Sequence, residues 1–253
     1  MSSMSADSLL SSNDVNEVKI KNKINTVIID TQSRQFDNQA EQLLLKAQEL
    51  RTNCFKEQFG VVFDNDLDAD RYDEACFHLI LLDGEEVIAT ARLLDSDRAN
   101  LLGRFYSDSE FDLQNFLRDY PYPVLEIGRT CIANNYRGAS VLMQLWQGIA
   151  QVAEQVKANA FMGCCSIPIG AGDVNAWLAN LKGTPKIDIR PKHRLPLSLL
   201  SQPPVVPSLL NMYLRMGANV ASHACFDPDF HCADVFVWLP FEQFNPRYQH
   251  FLR

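Results

Sequence analysis

A chain of 253 residues with 47% apolar and 21% charged side chains has the profile of a soluble globular protein, long enough for a sizeable core. Its 31 acidic against 23 basic residues give a net charge of −8, which argues against general nucleic-acid binding. The seven cysteines lack the spacing of a disulfide framework, no basic-then-apolar leader is evident, and no apolar run approaches the ~20 residues that span a bilayer. Reduced thiols in a cytoplasmic protein, attached to a membrane at most peripherally, are therefore expected.

Met1 to Glu17 is rich in Ser, Asn and Asp without periodicity, so a disordered tail over residues 1–24 is expected to precede a single domain over residues 25–253. Thr26 to Asp30 reads as a short strand. From Asp37 a helical stripe follows through Ala40, Leu43, Leu44, Ala47, Leu50, Cys54 and Phe55, stopped by Gly60, with Arg51 on the face of Phe55. Asp64 to Asp73 is dense in carboxylates but fails as an EF-hand, because Ala69 and Ala75 replace the turn glycine and the bidentate glutamate. It is either a solvated acidic loop or a cation-binding one. Phe77 to Leu82 and Glu86 to Leu94 flank Asp83-Gly84-Glu85 as a hairpin, and Arg92 in its second strand calls for an anionic partner. Ser107 to Leu117 starts like a helix.

The central stretch begins with the apolar run Val124 to Ile132, which contains Glu126 and Arg129. A loop at Asn134 to Ser140 follows, then a helix with apolar residues at Val141, Leu142, Leu145, Trp146, Ile149, Val152, Ala153 and Val156. Strand, small-residue loop and helix present free N–H groups to an anion, though an ordinary βα unit has the same pattern. Glu126 and Arg129 are three apart and face opposite sides of an ideal strand unless a bulge intervenes.

Further on, Ala160 to Ile167 reads as a buried strand and Ala176 to Leu181 as a short helix. Lys182 to Arg194 is a local basic cluster in an acidic protein, either a docking site for an acidic partner or anionic membrane, or a solvated loop. Pro203 to Pro207 precedes a helix at Ser208 to Arg215, closed by Gly217. Val220 to Phe226 and Val235 to Leu239 read as a final strand pair around Asp227-Pro228-Asp229. His223, Cys225, His231 and Cys232 raise zinc but lack close ligand spacing, so no metal is expected. Cys164 has no basic neighbour in sequence to make it a nucleophile.

Glu126-Ile-Gly-Arg129-Thr-Cys131, Tyr136-Arg137 and Leu145-Trp146 together resemble the ornithine N-acyltransferases of ornithine-lipid synthesis, relatives of the acyl-homoserine lactone synthases. The likeness continues at Gly163-Cys-Cys-Ser166, Tyr213-Leu-Arg-Met-Gly217, Asp227-Pro-Asp-Phe230, Asp234-Val, Arg247-Tyr248 and His250-Phe251, covering about Gln42 to the C-terminus. It implies a GNAT-like α/β fold: a mixed, mostly antiparallel central sheet with splayed central strands, flanked by helices. It also implies transfer of a 3-hydroxyacyl group from acyl carrier protein to the α-amine of ornithine, giving a lyso-ornithine lipid at the inner membrane.

On this resemblance Glu126 is expected to be the general base, and Asp70 and Asp73 to hold the acceptor's second ammonium. Arg51, Phe55, Arg92 and Arg129 are the expected substrate-binding residues. The superfamily's phosphate loop is degraded here, with Asn135, Arg137, Gly138 and Ser140 left to hold acyl-pantetheine, which suits a carrier-bound donor better than free coenzyme A. No cofactor is expected beyond that acyl-phosphopantetheine arm, and Lys186, Arg190, Lys192 and Arg194 are the expected docking points for the acidic carrier. The rivals are acylation of another amine, including homoserine lactone synthesis, and a non-catalytic carrier-binding module.

Overall fold

The computed structural model describes residues 23–170, 172–196 and 204–252. The expected tail lies outside them except for Lys23 and Ile24, and Ile24 is buried in the core. Part of the proline-rich approach to the 208–216 helix is outside them too.

Strands β1 (Asn25–Asp30), β2 (Phe77–Asp83) and β3 (Glu86–Asp95) form an antiparallel meander, with Gly84 at φ 66° in the β2–β3 turn. β3 runs antiparallel to β4 (Val124–Ile132). β4 pairs in parallel with β5 (Ala160–Pro168), the crossover being helix α4 (Ala139–Gln155). β5 pairs along its whole length with antiparallel β9 (Cys232–Pro240), which also carries β7 (Asn219–Ala221) and β8 (Cys225–Asp227). β6 (Lys186–Ile187) ends the sheet beside β7. The expected mixed, mostly antiparallel sheet is what is found.

Alternation along β2 sorts its side chains onto two faces. Leu79 and Leu81 join the buried stripe of α4 (Val141, Leu145, Trp146, Ile149, Val152), and Ile80 packs with Leu44 and Ala47 of α1 (Asn38–Phe59) on the other side. Each fully buried Leu, Ile or Val contributes about 1.5–3 kcal/mol relative to exposure. Gly148 lets α4 lie close, since a Cβ there would meet the Leu79 side chain at 2.4 Å.

Three departures from expectation have local causes. A helix α2 (Ser96–Leu102), capped by Asp95 and closed by Gly103, was not foreseen, because its cap is the last residue of a strand. The helix expected over Ser107 to Leu117 divides into a 3-10 turn (Ser107–Ser109) and a short α3 (Gln114–Arg118), because Asp112 N–H donates to the Arg190 carbonyl and Leu113 N–H to the Asp108 side chain in place of carbonyls one turn back. The last strand pair is a long β9 facing two short strands, as Ala224 N–H donates to Asn175 Oδ1 on α5 (Val174–Asn180) and breaks the ladder between them. Helix α6 (Ser208–Met216) closes at Gly217 as expected.

The β4–β5 ladder has only three registered pairs, from Val124 opposite Ala160 to Glu126 opposite Met162, and beyond them the strands part. At the parting point Gly163 sits against β4, where a Cβ would come 2.3 Å from the Ile127 carbonyl oxygen. Backbone cannot yield there as a flexible side chain would. Gly163→Ala is therefore expected to destabilise the fold by about 1–3 kcal/mol and to raise KM for the acyl donor. Thermal melts and donor titrations check this; wild-type values in both would mean that β4 shifts freely.

Candidate active site

Helix α1 starts at Asp37, whose carboxylate accepts from the N–H groups of Gln39 and Ala40. It delivers Arg51 and Phe55 one turn apart towards β3 and β4. Arg51 is buried, and its guanidinium donates from Nε to Asp68 at 2.6 Å and from both Nη atoms to Asp73 at 2.8 and 2.9 Å. Arg92 of β3 reaches Asp70 at 2.6 Å and Asp73 at 3.0 Å. Arg129 of β4 reaches Asp68 at 3.3 Å and Asp70 at 3.5 Å. Three arginines thus meet three aspartates and their charges balance, as a buried ionic cluster requires. Burial works to raise the Asp73 pKa, but the Arg51 hydrogen bonds and charge, with Arg92 behind, hold it far below the usual carboxylate range.

This network corrects one expectation. Asp73 is buried between two guanidiniums, with Gln48 Nε2 as a further donor, and Asp70 faces Arg92 and Arg129. Both aspartates already have cations, so neither offers a vacant charge to an ammonium. They hold Arg51, Arg92 and Arg129 in place.

Between Thr90 and Arg92 the β3–β4 register slips, so that Ala91 stands opposite two residues of β4, and Arg129 takes the left-handed conformation at φ 48°. That bulge brings Glu126 and Arg129 to one cavity despite their spacing. The cavity lies where β4 and β5 part and is lined by Phe55, Tyr106, Glu126, Arg129, Cys164 and Phe230, among others. Arg129 lies 4.7 Å from the Tyr106 ring centroid and 5.0 Å from that of Phe230, a cation–π cage that fixes it.

Glu126 is 3% exposed and lines this cavity. One carboxylate oxygen accepts from Tyr106 N–H at 2.8 Å and the other from Ser107 N–H at 2.7 Å. Burial raises its pKa, only partly offset by the hydrogen bonds from Ser107 and Tyr106 and the charge of Arg92. A carboxylate shifted upward in this way is better matched to accepting a proton near neutral pH. The same lining includes Glu110, Asp227 and Asp234. Burial pushes Asp234 up to about 6 and Glu110 well above its ordinary value, the neighbouring acids adding to it.

Other expected residues lie elsewhere. Asn135, Arg137, Gly138 and Ser140 are exposed around the N-terminus of α4, outside the cavity lining. Lys186, Arg190, Lys192 and Arg194 are all exposed, and Lys192 donates to the Asp108 carbonyl. His223 and His231 face outward while Cys225 and Cys232 are buried, so these four do not converge. Burial pushes the Cys164 thiol well up, and it donates to Ser107 Oγ at 3.4 Å. Nothing in the acidic helix start at Ser107 marks Ser107 and Glu110 as residues that turn inward, and Tyr106 precedes it with no signal of its own. Asp227 and Asp234 stood in recognised motifs without a role.

The acetyltransferase (GNAT) domain family matches residues 50–147. An L-ornithine N(alpha)-acyltransferase of Brucella abortus (strain 2308) is 30% identical over 234 residues, covering 80% of this chain and 82% of the relative. One from Rhodobacter capsulatus is 30% identical over 81% of this chain and 88% of its own length. Among solved structures, FeeM, an N-acyl amino acid synthase from uncultured soil microbes, aligns with a TM-score of 0.56 at 9% identity, over 88% of this chain and 95% of that one. The acyl-homoserine lactone synthase LasI aligns with 0.52 at 15% identity, over 91% and 95%. At those identities the two structures speak for the fold alone, whereas the sequence relatives, matched across most of both lengths, place this chain in the L-ornithine N(alpha)-acyltransferase family.

Proposed function

We propose that the protein transfers a 3-hydroxyacyl group from acyl carrier protein to the α-amine of ornithine, releasing a lyso-ornithine lipid. The observation that carries this reading is the parting of β4 and β5 beside a buried carboxylate, in a member of this family. The cavity holds about 150 Å³, below the ~300–1,000 Å³ of sites for drug-sized ligands. It suits a small amino acid, with the pantetheine arm entering along the parted strand edges.

The α-ammonium of the acceptor gives a proton to Glu126, directly or through one water. The neutral nitrogen attacks the thioester carbonyl, and the oxyanion takes a hydrogen bond from a backbone N–H on the free edge of β4. Collapse forms the amide as the nitrogen's second proton passes to the departing pantetheine thiolate, which leaves as a thiol, and Glu126 gives the first proton to water. Arg129, whose 3.3 and 3.5 Å contacts to Asp68 and Asp70 are the loosest of the network and leave it N–H donors to spare, pairs with the acceptor carboxylate. Both substrates are held together, so proximity supplies much of the rate without a covalent enzyme intermediate. Lys186, Arg190, Lys192 and Arg194 form the carrier-docking face, and Asn135, Arg137, Gly138 and Ser140 meet the arm's phosphodiester at the start of α4. The lyso-lipid is released to the inner membrane from a peripheral position; no described helix is long and apolar enough to cross a membrane.

The test is mass spectrometry of the product formed by the purified chain from 3-hydroxyacyl carrier protein and ornithine. The expected product is the Nα-acyl amide; acylation of S-adenosylmethionine and not ornithine would move the chain to the lactone-forming branch, and no product with any donor would refute the reading.

A further inference from the structure

The arginine–aspartate network beside the cavity balances its own charges, but no described basic side chain partners three further carboxyl groups of the lining. Glu110, Asp227 and Asp234 are each under 8% exposed and line the same cavity as Glu126. Among the described residues, no lysine or arginine nitrogen lies within 4.0 Å of any of their carboxylates. Asp227 Oδ1 accepts from the N–H groups of Asp229 and Phe230 in the β8–β9 turn, and Asp234 Oδ1 from the Cys232 thiol at 3.8 Å. Glu110 Oε2 is buried and accepts from no described backbone N–H or basic side chain, its polar neighbours being the Asp234 carboxyl and the Cys164 thiol. The Glu110 main chain is pinned, its carbonyl accepting from Lys192 N–H at 2.7 Å. A rigid, buried group of acids without a basic partner is a costly arrangement that a cation relieves.

We propose that Glu110, Asp227 and Asp234 form the subsite for the side-chain ammonium of the acceptor, and so select a diamino acid over a neutral one of equal length. The proposal rests on the reading of the chain as an ornithine Nα-acyltransferase and adds the residues that distinguish ornithine. The carboxylate end is held at Arg129, the reacting amine at Glu126, and the second ammonium at these three acids. A metal ion is the other cation that carboxylates attract, and ligand atoms of Asp227, Cys232 and Asp234 lie within 4.8 Å of one another. The donor set disfavours it. Asp227 Oδ1 is already taken by the N–H groups of Asp229 and Phe230, and Glu110 does not belong to that group of ligand atoms. An ammonium instead brings hydrogen-bond donors to the acids, Glu110 Oε2 among them.

The experiment compares L-ornithine with L-norvaline, which has the same carbon chain without the terminal amine. The wild-type enzyme is expected to favour ornithine by at least about 100-fold in kcat/KM, since a polar subsite strongly rejects an analogue lacking its partner. Glu110→Gln and Asp234→Asn, nearly isosteric, are expected to raise the ornithine KM by about 10- to 100-fold while norvaline turnover is kept or improved. The ornithine-to-norvaline ratio thereby collapses, and Asp234→Glu recovers part of it. A ratio within about threefold of wild type in both variants overturns the subsite while leaving ornithine acylation intact; a wild-type chain that acylates no ornithine fails the underlying reading. Should the variants not fold, calorimetric titration of the wild-type chain with each amino acid decides the matter, equal affinity overturning the proposal. One equivalent of a metal retained through purification and lost in Asp234→Asn also overturns it.

Discussion

Glu126→Gln is expected to lower kcat by about 10²- to 10⁴-fold, with a much smaller change in KM for ornithine. The amide keeps the shape of the carboxylate but cannot take the proton that makes the amine nucleophilic. It also introduces a mismatch, because the wild-type oxygens accept one backbone N–H each, from Tyr106 and Ser107. The glutamine NH2 must face one of those donors, at a cost of about 1–3 kcal/mol, so the melting temperature falls as well. Assays well below the variant's transition separate the two effects. The pH profile separates them further: wild-type kcat at saturating ornithine should fall on the acid side as Glu126 protonates, at a pH above that of an ordinary glutamate because burial raises its pKa, and the variant should lose that limb of kcat. A variant that keeps more than about a tenth of wild-type kcat would make Glu126 the anchor of the 106–107 turn and leave the base elsewhere in the cavity.

The fold was legible where periodicity and punctuation agree. The α4 stripe, the Asp83-Gly84-Glu85 hairpin and the stops at Gly60 and Gly217 depend on neighbours in sequence, and those residues adopt the expected elements. Arg51, Phe55, Arg92, Glu126 and Arg129 also come together, being carried on elements whose pairing follows from them. What could not be read is set by contacts distant in sequence. The bulge that turns Arg129 towards Glu126 arises from the pairing of Ala91 with two residues of β4, and nothing local in Glu126-Ile-Gly-Arg129 encodes it. The resemblance implies an ammonium at Asp70 and Asp73, but the arginines that neutralise them come from α1, β3 and β4, which no local pattern in the acidic loop announces. Glu110 turns inward because its chain is tied to the segment near Lys192, over eighty residues later.

Arg51→Met is expected to destabilise the protein at neutral pH by about 3–5 kcal/mol, as much as truncating a fully buried tryptophan of the α4 stripe to alanine. Methionine has similar length, so the loss is electrostatic: Asp68 and Asp73 remain buried while their bidentate donor disappears. Arg92 and Arg129 stay in reach and set the lower end of the range. The pH dependence gives the sign a second check. The folded-state pKa of Asp73 is depressed, so its contribution is fully present above the unfolded value of about 3.9 and is lost as pH falls through the folded value. The gap between wild type and variant should therefore be largest near neutrality and narrow in acid. His78, pushed down to about 4 by burial, weakens both proteins as pH falls below about 6.5, because the unfolded state takes up the proton first; that loss is common to both and largely cancels in the difference. Urea unfolding at several pH values measures the gap. In the double variant Arg51→Met with Asp73→Asn, removing the stranded charge should recover part of the stability. A neutral-pH difference under about 1 kcal/mol, the size of an exposed ion pair, would mean that the buried network is not what holds α1 against β3 and β4.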